Sequence, residues 1–114
     1  MPVTPTPAAP CAVVVSLHVL PEHVDEFVAL LTGVLDAMRH ERTFVNAVVH
    51  RDPADPTRFM IYETWADRDD LQRVQLHRRY RKAYTDRLPQ LLRQARTFEV
   101  WDIARSDFTF FAAT

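Results

Sequence analysis

The chain has 114 residues, of which 47% are hydrophobic and 25% charged, and its formal net charge is −1. These values are typical of one globular domain and give no reason to expect a nucleic acid or an anionic membrane as a partner. A single cysteine, Cys11, excludes an intrachain disulfide and a cysteine-based zinc site, and a single glycine excludes a glycine-rich phosphate loop. No apolar stretch reaches the roughly 20 residues of a membrane span, and the N-terminus is not built like a signal peptide, so we expect a cytoplasmic protein.

The N-terminal third predicts an arm, a strand and a helix. Residues 1–10 contain four prolines among small residues, which predicts a flexible arm. Residues 12–20 are β-branched and apolar and predict a strand with Ser16 and His18 on one face. Pro21 begins a helix that is acidic in its first turn and basic at its end. Its apolar residues follow helical spacing: Val24, Phe27, Val28, Leu31, Val34, Leu35 and Met38.

Two further strands form a predicted hairpin. Residues 43–51 alternate, with one face made of Phe44, Asn46, Val48 and His50. Two Asp-Pro dipeptides, at residues 52–53 and 55–56, then predict a turn because proline fixes φ and restricts the residue before it. Residues 58–65 predict the third strand, and one of its faces carries the following side chains: Phe59, Ile61, Glu63 and Trp65.

The C-terminal third predicts helices and a last strand. Asp67 is the predicted N-cap of a helix. Three- and four-residue spacing places six residues on one stripe of that helix: Leu71, Val74, His77, Tyr80, Arg81 and Tyr84. Pro89 is predicted to begin a further short helix, and residues 97–105 a fourth strand. The apolar tail, residues 107–114, is expected to dock on the domain or on a partner chain.

The element order predicts the fold class. The order β-α-β-β-α-(α)-β over residues 11–106 is typical of an α+β, ferredoxin-like split βαβ domain, with a four-stranded antiparallel sheet and helices on one face. The first and third strands carry apolar residues on both faces, so the face without helices also needs cover. The simplest cover is a second copy of the sheet, which predicts a homodimer.

Three motifs carry a resemblance to a known family. They are Val-Leu-Pro-Glu-His-Val-Asp-Glu-Phe at residues 19–27, the hairpin sequence at residues 50–59, and Tyr-Glu-Thr-Trp-Ala-Asp at residues 62–67. Over about residues 13–104 the chain resembles the antibiotic biosynthesis monooxygenase (ABM) family of dimeric α+β barrels. That family is implied to include cofactor-free oxygenases of phenols and hydroquinones, quinol oxygenases, haem-degrading enzymes and a few isomerases.

The chain departs from the family pattern at several positions. Glu41-Arg42-Thr43-Phe44 stands where many members have Pro-Gly-Cys or a similar turn, and Val74 and Gln75 stand where many have a histidine. The first-strand asparagine of the haem-degrading branch falls near Val15 here. We therefore do not expect haem degradation.

The resemblance implies a pocket between the helices and the sheet. Trp65 would stack on an aromatic substrate, and His50 or His77 would be the base that removes a phenolic proton. The expected substrate-binding residues are the following: Asn46, Tyr80, Arg81 and Tyr84. Each of these residues has a structural alternative. Trp65 would be a core residue and His50 a surface residue, Asn46 would form a hydrogen bond across the dimer, and the helical stripe would be the solvated edge of a packed helix. The sequence contains no pair of histidines with metal-ligand spacing.

The predicted function is therefore a cofactor-independent monooxygenase that oxidises a phenol, anthrone or hydroquinone, with molecular oxygen as co-substrate and no cofactor. One alternative is a cofactor-free isomerase or cyclase of a polyketide-type substrate, which needs a base and no oxygen. The other is a non-catalytic barrel that binds a small aromatic molecule.

Overall fold

The computed structural model describes residues 8–109. Four strands form one antiparallel sheet: β1 (Cys11–His18), β2 (Phe44–Asp52), β3 (Asp55–Trp65) and β4 (Thr97–Asp102). Their order is β2-β3-β1-β4, and every neighbouring pair is antiparallel. Three α-helices connect them: α1 (Val24–Met38), α2 (Arg68–Arg73) and α3 (Lys82–Leu91). The predicted ferredoxin-like α+β arrangement is confirmed.

The alternation of residues along β1 and β3 determines where the core lies. One face of these two central strands is buried beneath α1 and α3, and its residues are the following: Cys11, Val13, Val15, Leu17, Phe59, Ile61, Glu63 and Trp65. Phe27 of α1 joins the layers, because its ring centroid lies 5.0 Å from that of Phe59 and 6.2 Å from that of Tyr84 on α3. Arg87 of α3 also donates two hydrogen bonds to Glu26 of α1, at 2.6 and 3.1 Å. The helices therefore cover one face of the sheet only.

The opposite face, which we call the open face, carries no helix. Cross-strand pairing places the following side chains on it: Ala12, Val14, Ser16, His18, Asn46, Val48, His50, Arg58, Met60, Tyr62, Thr64, Thr97, Glu99 and Trp101. Large apolar side chains are exposed there in the single chain: 55% of Trp101, 46% of Val48 and 38% of Tyr62. An apolar surface of this kind is typical of a contact with another molecule.

The predicted faces of β2 are partly wrong. Phe44 pairs with Trp65, but Asn46 pairs with Thr64, so the register shifts at Val45. This β-bulge adds one residue to β2. The extra residue moves the side chains before it to the opposite face from the one that strict alternation predicts. Phe44 therefore lies on the helix-covered side beside Trp65, whereas Asn46, Val48 and His50 lie on the open face.

The predicted continuous helix over residues 67–84 is also wrong. Asp67 is the N-cap as expected, because its carboxylate accepts a hydrogen bond from the Asp70 backbone N–H at 3.2 Å. However, α2 ends at Arg73, and two 3₁₀ turns, Gln75–His77 and Arg79–Arg81, separate it from α3. Arg78 between the turns is extended, with φ −61° and ψ 138°, so the six residues do not share one helical stripe.

Smaller differences concern the element ends. Pro89 lies inside α3 and does not begin a new helix, and β4 ends at Asp102. Residues 1–7 of the predicted arm and residues 110–114 of the predicted tail lie outside the described residues. Phe108 is 69% exposed in the single chain, so docking of the tail stays a prediction. None of the helices in residues 8–109 has the length and hydrophobicity that crossing a membrane requires.

Candidate functional site

A carboxyl group is buried at the centre of the molecule. Glu63 follows Phe59 and Ile61 on the helix-covered face of β3, and only 7% of it is exposed. Burial raises the pKa of Glu63, since the charged form is poorly solvated there. A hydrogen bond from Trp65 and the nearby positive charges of Arg81 and Arg96 oppose that rise without cancelling it. The site thus contains a carboxyl group poised to exchange a proton.

Trp65 holds this carboxyl group. Its indole Nε1–H donates a hydrogen bond to Glu63 Oε1 over 2.9 Å, and its ring is fully buried. The ring packs edge-on against Phe44, with centroids 5.5 Å apart and an interplanar angle of 75°. Trp65 thus lies on the helix-covered side of the sheet, and its polar atom contacts Glu63.

Tyr84 faces the same carboxyl from the helical layer. It is 5% exposed, and burial raises the pKa of its hydroxyl to about 12. The Arg96 guanidinium opposes this rise through its charge and a side-chain hydrogen bond. Tyr84 therefore keeps its proton at neutral pH and can donate a hydrogen bond.

Arg81 and Gln75 add polar atoms to this interior. Arg81 Nε donates to the backbone carbonyl of Gln75 over 2.8 Å. Arg81 Nη2 and Gln75 Oε1 are both buried and have no hydrogen-bond partner among the described residues. Gln75 as a whole is 2% exposed. A buried donor and a buried acceptor are thus available one 3₁₀ turn away from each other.

A second network attaches the two 3₁₀ turns to the end of α1. The Glu41 carboxylate accepts hydrogen bonds from Gln75 Nε2 at 3.3 Å and Tyr80 Oη at 3.3 Å, and it pairs with Arg78 Nε at 3.1 Å. Asp70 accepts from Gln75 Nε2 at 3.0 Å and from Thr43 Oγ1 at 2.7 Å. Tyr80, an expected substrate-binding residue, is therefore bonded to Glu41.

A cavity lies beside α3. Its volume is about 420 Å³, which suits a small aromatic molecule. It is lined by residues of α3 and of the segment before β4: Thr85, Leu88, Pro89, Leu92, Arg93, Gln94, Ala95 and Arg96. Arg96 belongs both to this lining and to the surroundings of Tyr84 and Glu63. The cavity therefore borders Arg96, one of the two guanidinium groups that act on the buried carboxyl.

The structure brings some predicted site residues together and separates others. Trp65, Arg81 and Tyr84 surround Glu63 on the helix-covered side. His50 and Asn46 lie on the open face, where His50 Nδ1 is 3.2 Å from the Met60 carbonyl oxygen and Asn46 Oδ1 is buried with no hydrogen-bond partner among residues 8–109.

His77 is exposed in the first 3₁₀ turn. The two histidines are thus apart from the tryptophan that they were expected to assist.

Sequence reasoning missed Glu63, Gln75 and Arg96 as site residues. The signal for Glu63 was present, because strict alternation placed a carboxylate on the apolar face of a strand. Gln75 stands, with Val74, in the segment where the resemblance implies a histidine, whereas nothing in the sequence pattern marked Arg96. Within residues 8–109, no three histidine, cysteine or carboxylate side chains are grouped so that they could hold a metal ion.

The fold and the interior site define a ferredoxin-like α+β domain with its polar groups between sheet and helices. The antibiotic biosynthesis monooxygenase (ABM) family matches residues 10–86, which is most of the chain. The protein therefore belongs to the ABM family, a family that includes monooxygenases. No curated protein matches the sequence.

Solved structures share the fold at low sequence identity. A putative ABM protein from Caulobacter crescentus CB15 superposes with a TM-score of 0.78 at 19% identity, covering 86% of this chain and 92% of that one. A conserved protein from Methanosarcina mazei Go1 gives 0.76 at 20%, covering 82% and 92%. A mutant of SnoaB, a cofactor-independent oxygenase from Streptomyces nogalater, gives 0.75 at 15%, covering 87% and 97%. At these identities the likeness establishes the fold.

Proposed function

We propose that the protein is a cofactor-independent monooxygenase that oxidises a phenol, anthrone or hydroquinone with molecular oxygen. The observation that carries the proposal is the buried Glu63 carboxyl, whose pKa is raised by burial and which lies near two guanidinium groups. Such a carboxylate is a stronger base than an exposed one. The guanidinium groups stabilise the anion that it forms. Membership of the ABM family and the fold shared with SnoaB support this reaction class.

In this reaction the substrate itself supplies the electrons that reduce dioxygen. Glu63 removes the acidic proton, and the resulting anion gives one electron to dioxygen, which leaves a substrate radical and superoxide. These combine through a new carbon–oxygen bond to form a peroxide, and Glu63 returns the proton. Glu63 then removes the remaining hydrogen of that carbon as a proton while the oxygen–oxygen bond breaks, and the departing hydroxide takes up this proton to form water, which leaves a carbonyl, as in a quinone. One oxygen atom is in the product and the other in water, so no external reductant is needed.

In this proposal the remaining residues bind the substrate and orient the reacting groups. The substrate enters through the cavity beside α3 and meets Arg96 first. Tyr84, which keeps its proton at neutral pH, donates a hydrogen bond to the developing oxyanion. Trp65 orients Glu63 through its indole N–H. Arg81 supplies positive charge, and Tyr80 helps to hold the segment that carries Arg81.

His50 and His77 are the other candidate bases. Both are accessible to solvent, and His50 shares the open face with Asn46, so either would act at a site separate from Glu63. Two grooves are lined by His50, one of them with Ser16, Arg58 and Met60 and the other with Leu31, Leu35 and Val49. A substrate bound beside His50 in one of these grooves is the alternative location of the reaction.

We propose further that the protein is a cytoplasmic homodimer. A second copy that covers the open face would bury Trp101, Tyr62 and Val48, which are the exposed apolar side chains of that face. Association of this kind is driven by removal of apolar surface from water.

The test is oxygen uptake by the metal-stripped protein with a panel of anthrones and hydroquinones. We expect uptake without added cofactor and its loss in Glu63→Gln, while His50→Ala and His77→Ala are run beside it to identify the base. Loss in a histidine variant, with activity kept in Glu63→Gln, would move the reaction to that histidine. Substrate conversion without oxygen uptake would instead indicate an isomerase or cyclase, and binding without conversion would indicate a non-catalytic barrel.

A further inference from the structure

The interior around Glu63 holds more positive than negative charge. Arg81 and Arg96 both act on Glu63 and Tyr84. Within residues 8–109, neither guanidinium forms an ion pair with a carboxylate. Glu63 is the one carboxyl group that takes part both in its own interactions with the two guanidinium groups and in the interactions of Tyr84. Burial favours the protonated form of Glu63. Arg81 and Arg96 therefore have no carboxylate paired with them in the described part of the chain, and the carboxylates of Glu41 and Asp70 bond to the Gln75 side-chain nitrogen instead.

Arg81 is the less satisfied of the two cations. Its Nε is bonded to the Gln75 carbonyl oxygen, but its Nη2 is buried and has no partner in the described part of the chain. Burying a charged donor without a hydrogen bond is costly, and such donors in proteins are normally paired. An anionic oxygen is the chemical group that satisfies both the charge and the N–H donor of Arg81.

Gln75 supplies the complementary atom. Its side-chain nitrogen is used by Glu41 and Asp70, whereas its Oε1 is buried without a partner among the described residues. The amide oxygen can only accept, so it suits a hydroxyl group on the same ligand. Arg81 Nε donates to the Gln75 backbone carbonyl, so the residues that carry the unpaired donor and the unpaired acceptor are tied to each other across the two 3₁₀ turns.

We propose that Arg81 and Gln75 form a subsite for an aromatic acid that carries a carboxylate next to a hydroxyl group. The Arg81 guanidinium binds the carboxylate, and Gln75 Oε1 accepts the hydroxyl hydrogen bond. This inference rests on the proposed function, since it names the substrate class of the same interior site.

The test compares three ligands of similar shape by isothermal titration calorimetry: 3-hydroxy-2-naphthoate, 2-naphthoate and 2-naphthol. We expect the hydroxy acid to bind roughly ten-fold more tightly than the neutral naphthol, as one charge-assisted hydrogen bond would provide. Arg81→Gln should abolish that preference, and Arg81→Lys should restore part of it. Arg79→Gln, which removes an exposed arginine from the same 3₁₀ turn, is the matched control and should keep the preference.

Each outcome bears separately on the subsite and on the reaction. Equal affinity for the three ligands, no binding of any of them, or a preference that survives in Arg81→Gln would overturn the subsite. The comparison of ligands on the unmodified protein decides this even where a variant does not fold. Preference for the hydroxy acid without oxygen uptake by any substrate would keep the subsite and reject the monooxygenase, whereas oxygen uptake combined with equal affinity for the three ligands would keep the monooxygenase and reject the subsite.

Discussion

Trp65 and Glu63 are hydrogen-bonded to each other although they lie on the same strand, two residues apart. The strand period of two places both side chains on the helix-covered face, and the indole Nε1 reaches the carboxylate over 2.9 Å. The indole N–H is a hydrogen-bond donor to the buried Glu63 carboxylate, on which Arg81 and Arg96 act through their charge. It therefore sets both the orientation of Glu63 and part of its proton affinity.

Removing this bond should change the pH dependence of activity. In Trp65→Phe the ionised form of Glu63 loses a donor, so the pKa of Glu63 rises further above its ordinary value. If Glu63 is the base, the acidic limb of the pH profile of kcat/KM should move to higher pH. Phe44→Leu, which disturbs the packing of the same indole without removing its N–H, is the control and should lower activity without moving the limb.

Replacing the carboxyl should stabilise the protein at neutral pH. The pKa of Glu63 is raised in the folded state, so its contribution to stability is fully present below the unfolded pKa and is lost as pH rises through the folded pKa. Glu63→Gln keeps an oxygen that accepts from Trp65 and removes this loss. We expect the melting temperatures of the two proteins to be similar near pH 4 and the variant to be several degrees higher near pH 8.

Differential scanning calorimetry across this range would measure the gap, and Glu22→Gln, on the surface before α1, corrects for the loss of one negative charge. A gap that shrinks as pH rises would contradict the assigned direction of the pKa shift.

The apolar side chains of the open face predict the oligomeric state of the protein. Placing a charge in the centre of an apolar contact is costly, so Trp101→Asp should convert the proposed homodimer into a monomer. Multi-angle light scattering of the eluted protein gives the mass directly. Val28→Asp makes the same kind of change on α1, in the helical layer, and should leave the mass unchanged. A wild-type protein that elutes as a monomer would itself contradict the proposed assembly.

The Glu41 network should restrain the two 3₁₀ turns. Glu41 accepts from Gln75 and Tyr80 and pairs with Arg78, so Glu41→Ala removes three restraints from one segment. We expect the backbone amides of residues 75–81 to exchange hydrogen faster, by about ten-fold or more for a loss of roughly 1.4 kcal/mol in local stability.

Hydrogen–deuterium exchange measured by mass spectrometry would show this. Asp36→Ala, which removes an exposed carboxylate from α1, should leave that segment unchanged. Faster exchange throughout the chain would mean that Glu41 supports the whole fold and not this segment.

The sequence predicted the elements whose periodicity is regular. The alternation in β1 and β3, the apolar spacing of α1 and the Asp67 cap all correspond to the structure, because each depends on neighbouring residues alone. The bulge at Val45 was not predictable, since one extra residue in an alternating strand leaves no local signal. The break at Arg78 was hidden because apolar and aromatic residues keep helical spacing across two 3₁₀ turns.

The site was predicted in part for the same reason. Trp65 and Tyr84 were recognised as aromatic residues of the helix-covered side, whereas His50 was placed with them through the family resemblance and lies on the open face. The partners of Glu63 depend on contacts between residues far apart in the chain, such as Arg81 and Arg96, and these contacts arise only once the helical layer packs on the sheet.

The bulge at Val45 determines how this hairpin would respond to the loss of one residue. The Asp52–Asp55 end of the hairpin fixes the register of Asn46, Val48 and His50 against β3. Loss of one residue at position 45 would therefore leave those three where they are and restore strict alternation, in which Phe44 directly precedes Asn46 and still lies opposite Trp65 on the helix-covered side. The hairpin can thus lose this one residue while both faces of the sheet keep their side chains, so the bulge is a position where related sequences can differ in length.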